Sequence, residues 1–161
     1  MHQEIVFFLS LLFIANGAPI LTSWILSNRW NFPVDAHILF FDHKPLFGPT
    51  KTLRGLFASL FFTVAFAMIF NYTWSIGLLI FIGAMSGDLL SSFLKRRLGL
   101  KSSSMSLGLD QIPESLIPAI ACKAILKFSW MDILWITILF FVFELILSRI
   151  LFIFKIRKHP Y

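Results

Sequence analysis

Charge and cysteine are both scarce in this sequence. Of its 161 residues 14% are charged and 58% hydrophobic, with a mean hydropathy of +0.83, and a soluble domain of this size has no core large enough to hide so much apolar surface. A single cysteine, Cys122, excludes an internal disulfide framework and a cysteine zinc site. Eight glycines and seven prolines are too few for collagen-like or low-complexity chains, and the apolar content excludes a disordered one. Gly-x-Ser-x-Gly, Walker and zincin motifs are absent, and His37 and His43 have no metal-ligand spacing. What is abundant is aromatic and aliphatic: twenty Phe, five Trp and two Tyr sit in long apolar runs. The composition is that of a membrane protein.

Five runs, at about 4–26, 53–72, 75–94, 115–128 and 132–154, predict an all-α integral membrane protein forming one polytopic domain over 1–161. The first, third and fifth reach the ~20 residues that cross ~30 Å of hydrocarbon. The fourth is short and contains Pro118 and Lys123, so it is expected to be tilted or partly re-entrant. Lys and Arg remain on the cytoplasmic side far more often than they are translocated. Here Arg29, Lys44 and Lys51 precede the second run, Lys95, Arg96, Arg97 and Lys101 follow the third, and Lys155, Arg157 and Lys158 follow the fifth. That alternation predicts an N terminus outside, a C terminus inside, and two long cytoplasmic loops at 27–52 and 95–114. The N-terminal residues lack a basic n-region, and no cleaved signal peptide is expected. The net charge of +6 is then a topological signal, and no nucleic-acid partner is expected.

With the outer connections short, chemistry is expected in the two inner loops. In the first, Pro49 biases Gly48 away from the helical region, and Thr50 is expected to cap a helix starting near Lys51, with Lys51 and Arg54 one turn apart at its N terminus. Free N–H groups and two cations there suit a phosphate; a proline-rich elbow with snorkelling cations is the plainer alternative. In the third run Asp88, Ser91, Ser92 and Lys95 form one helical stripe, beside a Gly83/Gly87 pattern that admits a close neighbouring helix or a second chain. Counting from Leu94 puts Asp88 ~10 Å below the inner boundary, where a lone carboxylate costs ~2.5–3.5 kcal/mol. A Lys95 or Arg96 partner, or a divalent cation, would offset that cost. The loop KRRLGLKSSSMSLGLDQIPE adds Arg97, hydroxyls and Asp110, a second carboxylate able to share a metal with Asp88. Pro19 removes the N–H that would bond the Ala15 carbonyl, so the first helix is expected to kink near Asn16, whose polar group could line a lipid cavity. Glu144 lies deep in the fifth run and should be paired or protonated.

Taken together, FGPTKTLRG at Phe47–Gly55, GDLLSSFLKRRLGLK at Gly87–Lys101, LDQ at Leu109–Gln111, ANGAP at Ala15–Pro19 and FPVD at Phe32–Asp35 resemble the CDP-archaeol synthase family, with a bacterial-type member expected. The pattern is also similar to that of the phosphatidate cytidylyltransferases, but the His-Gly-Gly and Asp-Arg elements of the latter are absent. The resemblance implies a nucleotidyltransferase of the cytoplasmic membrane that moves the cytidylyl group of CTP to a membrane lipid phosphate with Mg²⁺. It implies catalytic roles for Asp88, Lys95, Lys51 and Asp110, with Asp88 and Asp110 as metal ligands. Arg54, Ser91, Ser92, Arg96, Arg97, Gln111 and Asn16 would contact substrate. Its partners would be CTP, the lipid phosphate and the bilayer, with a homo-oligomer possible. A small transporter or channel subunit using Asp88 and Glu144, or a non-catalytic lipid-binding scaffold, are the alternatives.

Overall fold

The computed structural model describes residues 2–27, 29–100, 102 and 106–156. Lys101, Arg157 and Lys158, counted above among the inner-side cations, lie outside the described residues. Five helices follow in order: α1 His2–Leu26, α2 Leu53–Ile69, α3 Trp74–Arg97, α4 Gln111–Cys122 and α5 Trp130–Ile153. Among the described residues three are long and apolar enough to cross a membrane, over Gln3–Leu26, Trp74–Arg97 and Trp130–Ile153. α2 is apolar but shorter, with 17 residues. α4, with 12 residues, is ~18 Å long, well short of the hydrocarbon thickness. The fourth run thus ends as a helix at Cys122 and continues as a turn through Lys127. At its end the Lys123 ammonium lies 4.9 Å from the Trp130 ring centre, a cation–π contact.

α3 is the hub, packed against α1, α2 and α4, while α5 touches α4 and α1. The Gly83/Gly87 pattern explains the α3–α4 contact. A Cβ on Gly83 would lie 2.6 Å from Pro118 Cα, and one on Gly87 2.7 Å from the Glu114 amide nitrogen. Only glycine lets the α4 backbone approach so closely, so the small-residue face is filled from within this chain.

α1 runs unbroken through Pro19, where a kink was expected. The carbonyl of Ala15 that Pro19 leaves without an N–H receives the Ser59 hydroxyl of α2 at 2.8 Å, and Gly55 brings α2 against Pro19 itself. A neighbouring helix therefore re-satisfies the freed carbonyl.

The apolar core occupies one half of the bundle. Phe8, Leu11, Leu12, Ile80, Ala84, Ala119, Cys122, Ile136 and Phe140 are buried together, drawn from the N-terminal portions of α1, α3 and α5 and the C-terminal portion of α4. The opposite half, where α3 ends and α4 begins, holds buried Ser92, Lys95, Arg96, Asp110 and Glu114 instead. α5 starts from a reciprocal cap in which Ser129 and Asp132 each accept the other's backbone N–H, the arrangement of a capping box.

Candidate active site

The first inner loop is an ordered platform. Pro33 pairs with Thr52, the Val34 amide donates to the Lys51 carbonyl at 2.8 Å and the Leu53 amide to Phe32 at 2.9 Å. This pairing holds Thr52 extended and delays the helix, so Thr52, rather than the expected Thr50, is the N-cap of α2. Its hydroxyl accepts from the Gly55 amide at 3.3 Å. Lys51 and Arg54 are consequently not successive turns of one helix: Lys51 is a loop residue and Arg54 belongs to the first turn of α2.

Asp35, which the sequence placed in a motif without a role, anchors this platform. It is 4% exposed, and its carboxylate accepts amides from His37 at 3.1 Å, Phe47 at 3.0 Å and Gly48 at 2.9 Å. Burial alone would raise its pKa, but these three donors prevail and hold it below the ordinary carboxylate range. Gly48, at φ +96, takes a left-handed conformation that side chains resist.

From that platform Lys51 reaches α3, where its Nζ lies 2.5 Å from Asp88 Oδ1. Burial would lower the Lys51 pKa, yet Asp88, aided by Glu114 and Asp110, raises it, so the ammonium stays charged. The expected partners of Asp88 were Lys95 and Arg96. Lys95 instead spans to Asp110, at 2.8 Å from Oδ1 and 3.0 Å from Oδ2, and Arg96 donates to Ser102 at 2.8 Å. Glu114, on α4, lines the same cavity as Asp88. It went unnoticed in the sequence although it follows Asp110 by four residues, the spacing that puts both acids on one helical face.

These groups line one cavity of about 610 Å³. Lys51, Arg54, Lys95, Arg96 and Lys155 give it cations; Asp88, Asp110, Glu114 and Glu144 give it carboxylates. Its wall continues over Phe13, Ile20, Leu147 and Leu151 of α1 and α5. Ser92 and Asn16 also line it, Asn16 donating to the Leu12 carbonyl at 3.1 Å. Arg54 donates to the Arg29 carbonyl and, at 3.4 Å, to Ser23, tying α2 to the end of α1.

Three residues expected at the site stand elsewhere. Ser91 is fully buried and donates back to the Asp88 carbonyl at 2.9 Å. Gln111 is fully buried and accepts the Gly108 amide at 2.8 Å. Arg97 turns to the first loop, bonding Asp42 and the Lys44 and Pro45 carbonyls. None of the three lines the cavity.

Among the described residues no cluster of three or more His, Cys, Asp or Glu forms a metal cage. Both oxygens of Asp110 face Lys95, whereas Asp88 and Glu114 meet at the cavity from two helices. Hard carboxylate oxygens in this small number suit Mg²⁺, which takes one or two carboxylates and completes its shell with water and substrate phosphates. They do not suit a closed zinc site.

Comparison with known proteins follows the same line. A family model described as CarS-like, CDP-archaeol synthase, matches residues 59–161. The chain is 31% identical over 156 residues to the CDP-archaeol synthase of Saccharolobus islandicus (strain Y.N.15.51), covering 92% of this chain and 90% of that one. It is 35% identical over 104 residues to the enzyme of the same name from Hyperthermus butylicus, covering 61% of this chain but only 59% of that relative. Both relatives are archaeal, whereas the sequence reading expected a bacterial type. A solved structure described as an intramembrane enzyme for archaeal membrane lipids biosynthesis superposes with a TM-score of 0.68 at 23% identity, covering 86% of this chain and 90% of that one. It shares the fold of a membrane-embedded helical bundle. The chain belongs to the CarS-like, CDP-archaeol synthase family, and its class is therefore that of a CTP-dependent nucleotidyltransferase.

Proposed function

We propose that this protein transfers the cytidylyl group of CTP to a membrane lipid phosphate, forming a CDP-lipid and pyrophosphate. The observation that carries the proposal is the composition of this cavity: five cations, Lys51, Arg54, Lys95, Arg96 and Lys155, and four carboxylates share it with apolar side chains of α1 and α5. A nucleoside triphosphate arriving from water and a two-chain lipid held in the bilayer can meet in such a space.

A lipid phosphate oxygen attacks the α-phosphorus, a new P–O bond forms, and the bond to the bridging oxygen of pyrophosphate breaks. The nucleophile comes from the substrate, so the protein's task is alignment and charge stabilisation. Lys51 and Lys95 supply ammonium charge, and Arg54 and Arg96 supply planar guanidinium donors suited to phosphate oxygens. Asp88 with Glu114 or Asp110 would hold Mg²⁺, which when bound offsets charge on the triphosphate and the departing pyrophosphate. Asn16 and Ser92 face the same space as polar contacts.

We assign the chain a five-crossing topology in the cytoplasmic membrane with its N terminus outside. The lysine and arginine distribution supports that assignment, with the short α4 set in locally thinned bilayer. Accessibility of single cysteines at Thr73 and Ser106 from opposite sides is the expected result. The acceptor we assign is the ether-linked isoprenoid phosphate that the relatives' name implies.

The experiment is incubation of purified protein with CTP, Mg²⁺ and a mixture of ether-isoprenoid and diacyl lipid phosphates, with products read by mass spectrometry. A CDP-lipid formed by the native chain and lost in Asp88→Asn supports the proposal. Absence of any CDP-lipid from a folded native sample would refute it, and normal turnover by Asp88→Asn would remove Asp88 from the mechanism.

A further inference from the structure

The first loop contains an apolar hairpin unrelated to the cavity. Leu39 pairs with Pro45, the Phe40 amide donates to the Lys44 carbonyl at 2.9 Å, the His43 amide to Phe40 at 2.9 Å, and the Leu46 amide to Ile38 at 3.2 Å. His43 takes φ +58 at the turn. The hairpin therefore has a definite shape, yet it exposes a run of four apolar side chains: Ile38 is 57% exposed, Leu39 55%, Phe40 37% and Phe41 94%. A tight turn in water favours polar residues, and nearly complete exposure of a phenylalanine at such a tip needs a cover.

The location of the hairpin identifies that cover. Arg97, at the end of α3, holds it from two sides, bonding Asp42 and the Lys44 and Pro45 carbonyls, while Lys44 Nζ donates to the Arg97 carbonyl at 3.1 Å. The Arg97 guanidinium lies 4.9 Å from the ring centres of both Phe40 and Phe93, and those rings meet edge-on at 5.3 Å. Phe93 lies one turn inside Arg97, about 6 Å deeper along a helix that belongs to the membrane-crossing set. Phe40 thus sits at the level of that helix's apolar surface, and Phe41, packed edge-on to Phe40 at 5.0 Å, extends the same surface sideways.

We infer that the Ile38–Leu46 hairpin is a membrane-interface paddle: Ile38, Leu39 and Phe41 seat in the headgroup–acyl boundary of the bilayer the protein itself spans, and Arg97 is its hinge pin. Aromatic side chains favour that boundary, and the neighbouring cations Lys44 and Arg97 suit an anionic headgroup layer. The paddle fixes the depth of the loop whose other end presents Lys51.

The test uses full-length protein with Cys122→Ala and one new cysteine, Phe41→Cys or His43→Cys, carrying an NBD dye, in vesicles of phosphatidylcholine and phosphatidylglycerol. Label at 41 should emit to the blue of label at 43, be quenched by lipid bearing a nitroxide near the headgroup, and resist aqueous iodide. Water-like emission at 41 with full iodide quenching would overturn the inference. So would a blue shift that disappears on diluting the protein in lipid, because a second copy of the chain would then be the cover. Leu39→Cys provides the same readout if the Phe41 variant does not fold, which CDP-lipid formation from CTP and an elution profile report independently.

Discussion

Lys51 and Asp88 form a 2.5 Å ion pair that joins the loop before α2 to the stripe of α3, and this pair replaces the Lys95 or Arg96 partnership that helical spacing favoured. Both side chains remain partly exposed, at 26% and 19%, which suits a pair that substrate must reach. Removing the ammonium leaves Asp88 beside Glu114 with its nearest positive charge gone. Lys51→Met should therefore lower activity by about 10²–10³, the range for losing one charge-stabilising donor, and should also lower thermal stability. Lys51→Arg should retain the melting temperature and part of the activity. CDP-lipid formation and unfolding scans in detergent read the two effects separately.

Lys95 and Asp110 are more deeply buried, with side chains 9% and 12% exposed. Breaking such a pair from one side leaves a charge without its counter-ion at a cost of about 3–5 kcal/mol, whereas replacing both partners costs much less. Lys95→Met and Asp110→Asn should each destabilise strongly, and the double variant should be more stable than their summed losses indicate. A double-mutant cycle on unfolding free energies measures the difference. Additive losses would show that the pair contributes nothing jointly.

The helices were legible in the sequence because apolar runs and loop cations are local signals. Asp88 stood out for the same reason, as a carboxylate inside an apolar run. What escaped depends on long-range contact. Thr52 displaced Thr50 as the cap because it pairs with Pro33, a relation between residues about twenty apart. Ser59 rescues the Ala15 carbonyl from another helix, which a reading of α1 alone cannot show. Arg97 looked equivalent to Lys95 and Arg96, but a helix turns successive residues by about 100°, and that angle points Arg97 at the hairpin rather than the cavity. Glu114 did carry a signal, its four-residue spacing from Asp110.

The rescue by Ser59 is itself testable. Ser59→Ala leaves the Ala15 carbonyl buried with no donor and should cost about 1–3 kcal/mol. In a Pro19→Ala background the restored amide of residue 19 can bond that carbonyl, so Ser59→Ala should cost little there. Pro19→Ala alone also frees the backbone that the ring constrains, hence the comparison must be between the two Ser59→Ala steps rather than between Pro19→Ala and the native chain. Equal costs in the two backgrounds would show that the hydroxyl does not substitute for the missing amide.

Asp35 links loop order to pH. Its carboxylate is held below the ordinary range by amides of His37, Phe47 and Gly48, against the opposing effect of burial. A folded pKa below the unfolded one means that its contribution is complete above the unfolded value, near 4, and fades as pH falls through the folded value. Asp35→Asn replaces one accepting oxygen with an NH₂ group that cannot receive these donors, and should cost about 1.5–3 kcal/mol at neutral pH. That deficit should shrink as pH falls below the unfolded value, where the unfolded carboxyl takes up a proton before the folded one does. Because Gly48 leads directly to Lys51, the same variant should weaken CTP use, as a rise in KM larger than the fall in kcat. Unfolding free energies of both proteins from pH 7 to pH 3 provide the check: a gap that stays constant with pH would assign the loss to packing instead of to the charged acceptor.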